Sequence, residues 1–320
     1  MTTGWRSAYS KHFGASKSYS GYQLMVAFSA TNAWAFGAAD ESRVTSEQLV
    51  ALHWNGKVWS SVALPAKATG DVTGVSAPAA NSIWLVTLNG QAAHWNGAKW
   101  TVTELPRWAG GELTGVTAVS PTNVWVFGAG GMNGGVGTWH FNGKTWTEWK
   151  SGGAAGLDSG SAVSPSSIWA LGGNGLSNTA IEHFNGKAWQ TVSAKALKGL
   201  QFSGIRAFSD HDVWVEADGA LLHYNGKTWS RIAAPRGEQF GAVTSVDPRG
   251  GLWIEGGTTT KTYILHRTAT GSTWTAIPAP AASGVDALAP IPGDSGLWAA
   301  GDQTTGSVGA TAKIWAYGKV

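Results

Sequence analysis

The sequence predicts an all-β fold assembled from one four-stranded unit repeated along the chain, and three observations predict it. An aromatic residue, Asn-Gly, two further residues and a Trp recur five times, from Trp54 to Trp59, Trp95 to Trp100, Phe141 to Trp146, Phe184 to Trp189 and Tyr224 to Trp229. A second Trp, on a short apolar stretch, recurs as Trp34, Trp84, Trp125, Trp169, Trp214, Trp253 and Trp298, in steps of 39 to 50 residues. The 320 residues include 45 Gly and 20 Trp but are only 13% charged, a composition closer to a secreted β-protein than to a cytosolic enzyme.

Each unit reads as four strands. Strand A is an apolar stretch ending in a Ser-Pro-like turn, seen best from Val116 to Pro121, and strand B, centred on Trp125, follows it. Strand C runs into Asn-Gly and strand D carries the second Trp. Asn-Gly tolerates positive φ at both central positions of a type I′ turn, whose twist suits antiparallel strands, so each copy is expected to be such a hairpin tip. Four antiparallel strands at this period are one blade of a β-propeller. Seven copies of the strand-B Trp predict a seven-bladed propeller occupying residues 1–320 as one domain. The seventh hairpin is interrupted, because the chain stops at Tyr317-Gly318-Lys319-Val320. The start, Trp5-Arg6-Ser7, reads like the D strands Trp59-Ser60-Ser61 and Trp229-Ser230-Arg231. Residues 1–10 are therefore expected to complete the last blade, closing the ring and removing its open edges.

Residues that recur at a repeat position do a repeat job. The Trp residues are expected to pack between blades. Six histidines fall at one equivalent place before the hairpin aromatic: His53, His94, His140, His183, His223 and His266. Each belongs to a different blade, so a shared metal is rejected in favour of an imidazole hydrogen-bonded within its own blade. Lys57, Lys144, Lys187, Lys227 and Lys319 are expected to ring the hairpin face as solvated turn residues, with adhesion to an anionic envelope polymer as the functional alternative.

The pattern Ser-Pro-x-x-hydrophobic-Trp followed by His-aromatic-Asn-Gly-Lys-x-Trp resembles the Trp-rich propeller repeats of secreted bacterial proteins, and it covers essentially the whole chain. Closure by an N-terminal strand resembles that of WD-repeat propellers, although the Gly-His and Trp-Asp signatures are absent. The hairpins also differ from the Asp-boxes of sialidases, which need an extra residue before the Gly. The resemblance implies a lectin-like or interaction platform, or in some cases a hydrolase or lyase.

Candidate functional residues are those the repeat does not predict. The connections opposite the hairpin tips vary in length, and binding residues concentrate in such loops. The stretches 38–50 and 301–311 carry Asp40 and Asp302, and the stretch 104–114 carries Arg107 and Trp108, a Trp with no counterpart in other blades. Two residues after the strand-B Trp, blades 1 to 4 have Phe36, Val86, Phe127 and Leu171, whereas blades 5 and 6 have Glu216 and Glu255. Facing positions on strand A read Arg206 in blade 5 and Asp286 in blade 7, with Arg206 expected directly opposite Glu216.

Two functions follow. The first is a secreted module that binds a carbohydrate or protein through the variable-loop face, with Arg206, Trp108, Arg107, Asp40 and Asp302 as contacts. The second is a glycoside hydrolase or lyase in which Glu216, Glu255 and Asp286 supply the acid and base. No cysteine is present, which excludes disulfides and thiolate sites. No cofactor is implied. The net charge of +3 is spread without basic blocks, which argues against nucleic acid. No apolar run is long enough to insert in a membrane. With no charged-then-apolar segment at the N-terminus, the protein either stays in the cytoplasm or is a mature form whose signal peptide lies outside this sequence; the composition favours the extracellular mature form.

Overall fold

The computed structural model describes residues 4–13, 21–39, 48–105, 112–128, 136–173, 177–235, 239–246, 250–258, 261–269, 271, 273–280, 284–304 and 310–318. The chain divides into two compact units, Met1–Val72 with Gly241–Val320, and Thr73–Phe240.

The chain begins with β1 (Trp5–Phe13). Antiparallel meanders follow: β2 (Tyr22–Ser29), β3 (Asn32–Ala39), β4 (Gln48–Trp54) and β5 (Trp59–Val62), then β6 (Val72–Ala79), β7 (Ser82–Thr87), β8 (Gln91–Trp95) and β9 (Trp100–Glu104). Next come β10 (Gly115–Ser120), β11 (Asn123–Phe127), β12 (Thr138–Phe141) and β13 (Trp146–Trp149). An eight-stranded sheet comprises β14 (Gly156–Ser164), β15 (Ser167–Gly173), β16 (Asn178–Phe184) and β17 (Trp189–Thr191), then β18 (Phe202–Ser209), β19 (Asp212–Ala217), β20 (Ala220–Tyr224) and β21 (Trp229–Ile232). Its halves are two four-stranded meanders joined by the single pair Asn178↔Phe202. Then come β22 (Gln239–Val246), β23 (Leu252–Gly257), β24 (Thr262–Arg267) and β25 (Thr275–Pro278). The last sheet is β26 (Gly284–Pro290), β27 (Leu297–Thr304) and β28 (Ala310–Tyr317), with β1 as its fourth strand. Trp5 pairs with Tyr317, as Trp59 pairs with Trp54 and Trp229 with Tyr224. A short 3₁₀ turn, η1 (Lys195–Leu197), follows β17.

The Asn-Gly tips correct the expected type I′ geometry. The ladder closes at the flanking aromatics, leaving a four-residue loop. Only the glycines, Gly56, Gly97, Gly143, Gly186 and Gly226, take positive φ. The Asn stays in ordinary space because its side chain does the turning: Asn142 Oδ1 accepts the N–H groups of Lys144 and Thr145 at 3.0 and 2.9 Å. Gly143, at φ +92°, also has no room for a Cβ, which would sit 2.9 Å from Thr122 Cβ on the strand A–B turn. The hairpin tip and the Ser-Pro-like turn therefore pack together. Consecutive positive φ values occur instead at Asp218 and Gly219, between β19 and β20.

The core lies between successive sheets within each unit. The strand-B Trp is cross-strand partner to the histidine of strand C and packs on the aromatic pair of the next hairpin. Trp125 lies 4.4 Å from the His140 ring and 4.7 and 5.4 Å from Phe184 and Trp189. Trp84 repeats this with His94, Phe141 and Trp146, and Trp169 with His183, Tyr224 and Trp229. In the first unit Trp298 packs on Trp54 and Trp59. Such contacts are worth about 0.5–1.5 kcal/mol each beyond the area they bury. The inter-blade role expected of the Trp residues thus holds for the described pairs.

Candidate functional site

The histidines complete the same scaffold. His53, His140 and His223 Nε2 lie 3.1, 2.9 and 2.9 Å from Asn32, Asn123 and Asp212 Oδ1 at the head of strand B. His94 and His183 pair instead with Ser82 and Ser167 Oγ at 3.0 and 2.9 Å. Burial lowers the pKa of His53, His94, His140 and His183, so they sit in the stack as neutral rings. Around His183 this produces a Ser-His-Asp cluster that sequence reasoning did not find. Ser167 Oγ donates to Asp210 Oδ1, which also lies 3.5 Å from His183 Nε2. In a nucleophilic triad the carboxylate holds Nδ1 and leaves Nε2 for the serine. Here Asp210 and Ser167 share Nε2, so the cluster is a structural link.

The charged residues of the two units make separate constellations. In the second unit Glu216, on β19, is 4% exposed in a layer where Val86, Phe127 and Leu171 are fully buried. The strand register corrects the expected Arg206–Glu216 opposition. Glu216 faces Gly204 and Arg206 faces Trp214, because the register shifts between Ala207 and Ser209 and again between Phe202 and Gly204. A β-bulge inserts a residue with no mark in the hydrophobic pattern. Arg206 is thus a diagonal neighbour, close enough for its guanidinium and the carboxylate to interact. Gly204 makes room for the carboxyl, whose atoms would lie 2.9 Å from a Cβ there. Ser203 Oγ donates weakly to Glu216 Oε2 at 3.4 Å, and Oε1 is buried with no hydrogen-bond partner among the described residues. Burial pushes the Glu216 pKa up to about 8 against the opposing pull of Arg206. Burial likewise works against the Arg206 charge, and its Nη1 donates to Ile205 O at 2.7 Å.

In the first unit Glu255, on β23, lies over Gly241, its Oε2 3.2 Å from where a Cβ would stand. Burial and the nearby Asp286 carboxylate both raise its pKa. Asp286 is not at the strand-A position expected of it. It occupies the bulge between Val285 and Ala287, and the position facing Trp298 is Ala289. It is the counterpart of Asp158 and Ser203, the bulge residues of β14 and β18. Asp302, expected in a loop, lies on β27 opposite Gly284 and Ala312, because the β27–β28 ladder runs on to Thr304↔Ala310. Glu216 belongs to the second unit, and Glu255, Asp286 and Asp302 to the first. Asp40, Arg107 and Trp108 lie outside the described residues, as does Lys319.

Sequence reasoning also missed Glu182. Its carboxylate, fully buried, accepts the N–H groups of Gly152, Gly153 and Ala154 at 2.6, 2.8 and 2.7 Å. The only sequence signal is a Glu where other blades have Leu52, Trp139 and Leu222. No group of three potential metal ligands occurs among the described residues, and none of their helices is long and apolar enough to cross a membrane.

No protein-family model matches the chain, and no curated protein matches it. Solved structures do. One titled "YCF48 bound to D1 peptide" aligns over 98% of this chain and 96% of its own, at TM-score 0.64 and 14% identity. The β-propeller domain of Cps50 (Swd1) from Myceliophteria thermophila aligns over 95% and 99%, at 0.63 and 9%. The WD40 β-propeller domain of Doa1 aligns over 98% and 97%, at 0.60 and 11%. The chain has the β-propeller fold. At these identities the likeness carries the fold alone, and the propeller's function must come from its own residues.

Proposed function

We propose that this propeller is a non-catalytic binding module for a protein or carbohydrate ligand, exported from the cell. In this reading the eight-stranded sheet counts as two blades, so that seven blades form one domain whose ring β1 closes. The observation that carries the binding reading is an asymmetry in the connections. The five Asn-Gly loops share one geometry, whereas the opposite connections range from the two-residue Asp218-Gly219 turn to ladders that reach Ala39↔Gln48 and Thr304↔Ala310. A scaffold uniform at one end and varied at the other suits recognition at the varied end. There Asp302, with Asp40, Arg107 and Trp108, is the expected contact set. One structural neighbour, YCF48, is bound to a D1 peptide, which supports a protein ligand. The exposed Lys57, Lys144, Lys187 and Lys227 remain an adhesive surface for an anionic polymer.

The test is a panel of glycans, cell-wall polymers and peptides probed with the full chain and two trimmed variants. In one, Gly37 and Val50 are joined by Asp-Gly. In the other, Gln303 and Thr311 are joined in the same way. Binding that is lost on trimming while the melting temperature holds supports the reading; binding equal in all three chains removes these two connections as the site, and equal binding by Asp302→Ala and Arg107→Ala/Trp108→Ala as well removes the varied end. A second reading, a glycoside hydrolase or lyase, rests on Glu255, whose pKa is raised by burial and by the Asp286 carboxylate, the direction a general acid needs. Turnover of any polymer, abolished by Glu255→Gln in a folded protein, would replace binding with catalysis.

A further inference from the structure

A cleft of about 580 Å³ opens beside β16 in the second unit. It exists because β17 is short. Its ladder with β16 covers Glu182 to Phe184, and one further bond runs from Val192 N to Ile181 O at 2.8 Å. The chain then turns away into η1. At the other end of the gap, β16 is met by Phe202 opposite Asn178. Between these points the outer edge of Thr179 and Ala180 has no strand partner among the described residues. Thr179 is exposed. An uncovered strand edge offers backbone donors and acceptors to an added strand.

The walls match that use. Ile181, Leu197 and Phe202, all buried, make an apolar floor. Thr191 and Ser193 add hydroxyls, and Lys195 and Lys198, both exposed, stand at the rim. No carboxylate lines the cleft among the described residues. The size lies within the range of ligand clefts, about 300–1,000 Å³. The gap admits two or three residues of extended chain at about 3.3 Å per residue.

We propose that this cleft docks an extended acidic peptide segment of a partner protein, which adds as a short strand to the β16 edge with its carboxylates on Lys195 and Lys198. The proposal rests on the binding reading above and gives it a pocket and a ligand chemistry. It is tested by fluorescence anisotropy on the full chain, using a labelled heptapeptide that alternates Glu and Val. The same peptide with Lys for Glu, and one with N-methylated Val amides, serve as controls. The acidic peptide binds, the two controls do not, and Lys195→Glu/Lys198→Glu weakens binding by about tenfold or more. Raising the salt concentration weakens it as well, because both lysines are exposed. Equal binding by the N-methylated peptide overturns strand addition. Equal binding by the lysine variant overturns the cleft, and loss only in the hairpin-trimmed chains does so while leaving the binding reading intact. A sulfated polysaccharide that binds through these lysines when the peptide does not makes the ligand a polymer. Self-association abolished by the lysine variant makes the occupant a second copy of this chain.

Discussion

Replacing Arg206 and Glu216 by the residues of the preceding blade, Ser and Leu, should leave the propeller as stable as the wild type or more so, although Glu216→Leu alone should harm it. The preceding blade shows how the site looks without charge. Ser161 faces Trp169, and its Oγ accepts Ala207 N–H at 3.0 Å; Leu171, facing Ser159, is fully buried. Removing one member of a buried charged pair typically costs about 3–5 kcal/mol, whereas replacing both by well-packed residues is neutral or stabilising by about 1–4 kcal/mol. The single Glu216→Leu variant keeps a buried guanidinium and loses the group whose ionised form favours its charge. The single Arg206→Ser variant removes the charge that holds the Glu216 pKa down, so the carboxyl stays neutral to higher pH at a smaller cost.

The pH dependence provides an independent check. The folded pKa of Glu216 is raised from 4.5 to about 8, so across that interval the folded state holds a proton that the unfolded chain has released. Stability from this group is full below the unfolded value and is lost as pH rises toward 8. The slope is at most about 1.4 kcal/mol per pH unit, on the order of 5 kcal/mol across the window. The half-buried histidines act in the opposite sense. Their lowered pKa values make stability fall as pH drops below the ordinary imidazole range, in wild type and variant alike. The difference between the two curves therefore isolates Glu216. Urea denaturation from pH 5 to 8.5 should give curves for wild type and the double variant that converge toward low pH and separate toward high pH. Parallel curves, or a carboxylate rather than carboxylic-acid infrared band for Glu216 at pH 6, would refute the argument.

Three further outcomes follow from the packing. Deleting residues 1–10 removes Trp5, whose ring lies 5.2 Å from Tyr317, and exposes the β28 edge, so calorimetry should show a drop in Tm of several degrees or more; an unchanged Tm would remove β1 from the last sheet. Glu182→Ala strips three backbone N–H groups of their acceptor and should cost about 3–5 kcal/mol in urea denaturation, with Glu182→Gln losing less; a cost under about 1 kcal/mol would mean that the 152–154 segment does not depend on the carboxylate. Gly143→Ala places a Cβ at φ +92° and 2.9 Å from Thr122, and should lose about 1–2 kcal/mol, whereas an alanine at exposed Lys144 should cost almost nothing.

What could be read from the sequence, and what could not, divides along a physical line. The Trp–His–aromatic stack is legible because side-chain identity alone specifies it, and repetition separates its members from chance. Trp125, His140, Phe184 and Trp189 announce themselves by recurring. Backbone irregularity carries no such mark. A bulge displaces the register without altering the apolar pattern, and this is why Arg206 stands opposite Trp214 and why Asp286 falls at a bulge. Ladder length is equally silent, so Asp302 reads as loop and folds as strand. Glu182 is invisible for a related reason. Its partners are three main-chain N–H groups, and no side chain in 152–154 advertises them.

Glu182 and Glu216 also show how the candidate site can be narrowed without knowing the ligand. Glu182 stands where other blades have Leu52, Trp139 and Leu222, Glu216 stands where blades 1 to 4 have Phe36, Val86, Phe127 and Leu171, and both are almost completely buried. Burial without compensation costs a carboxylate several kcal/mol, so each must be satisfied, protonated or paired. Glu182 is satisfied by three short bonds to a loop that it thereby fixes, which accounts for its burial. Glu216 has one weak donor, an oxygen with no hydrogen-bond partner among the described residues, and a pKa near 8. At neutral pH it is mostly the neutral acid, because burial outweighs the pull of Arg206. The Arg206–Glu216 ion pair, the simplest structural reading of these residues, therefore exists in full only above about pH 8. Below that pH the blade carries an acid proton beside the Arg206 guanidinium, where the preceding blade has Leu171 and Ser161.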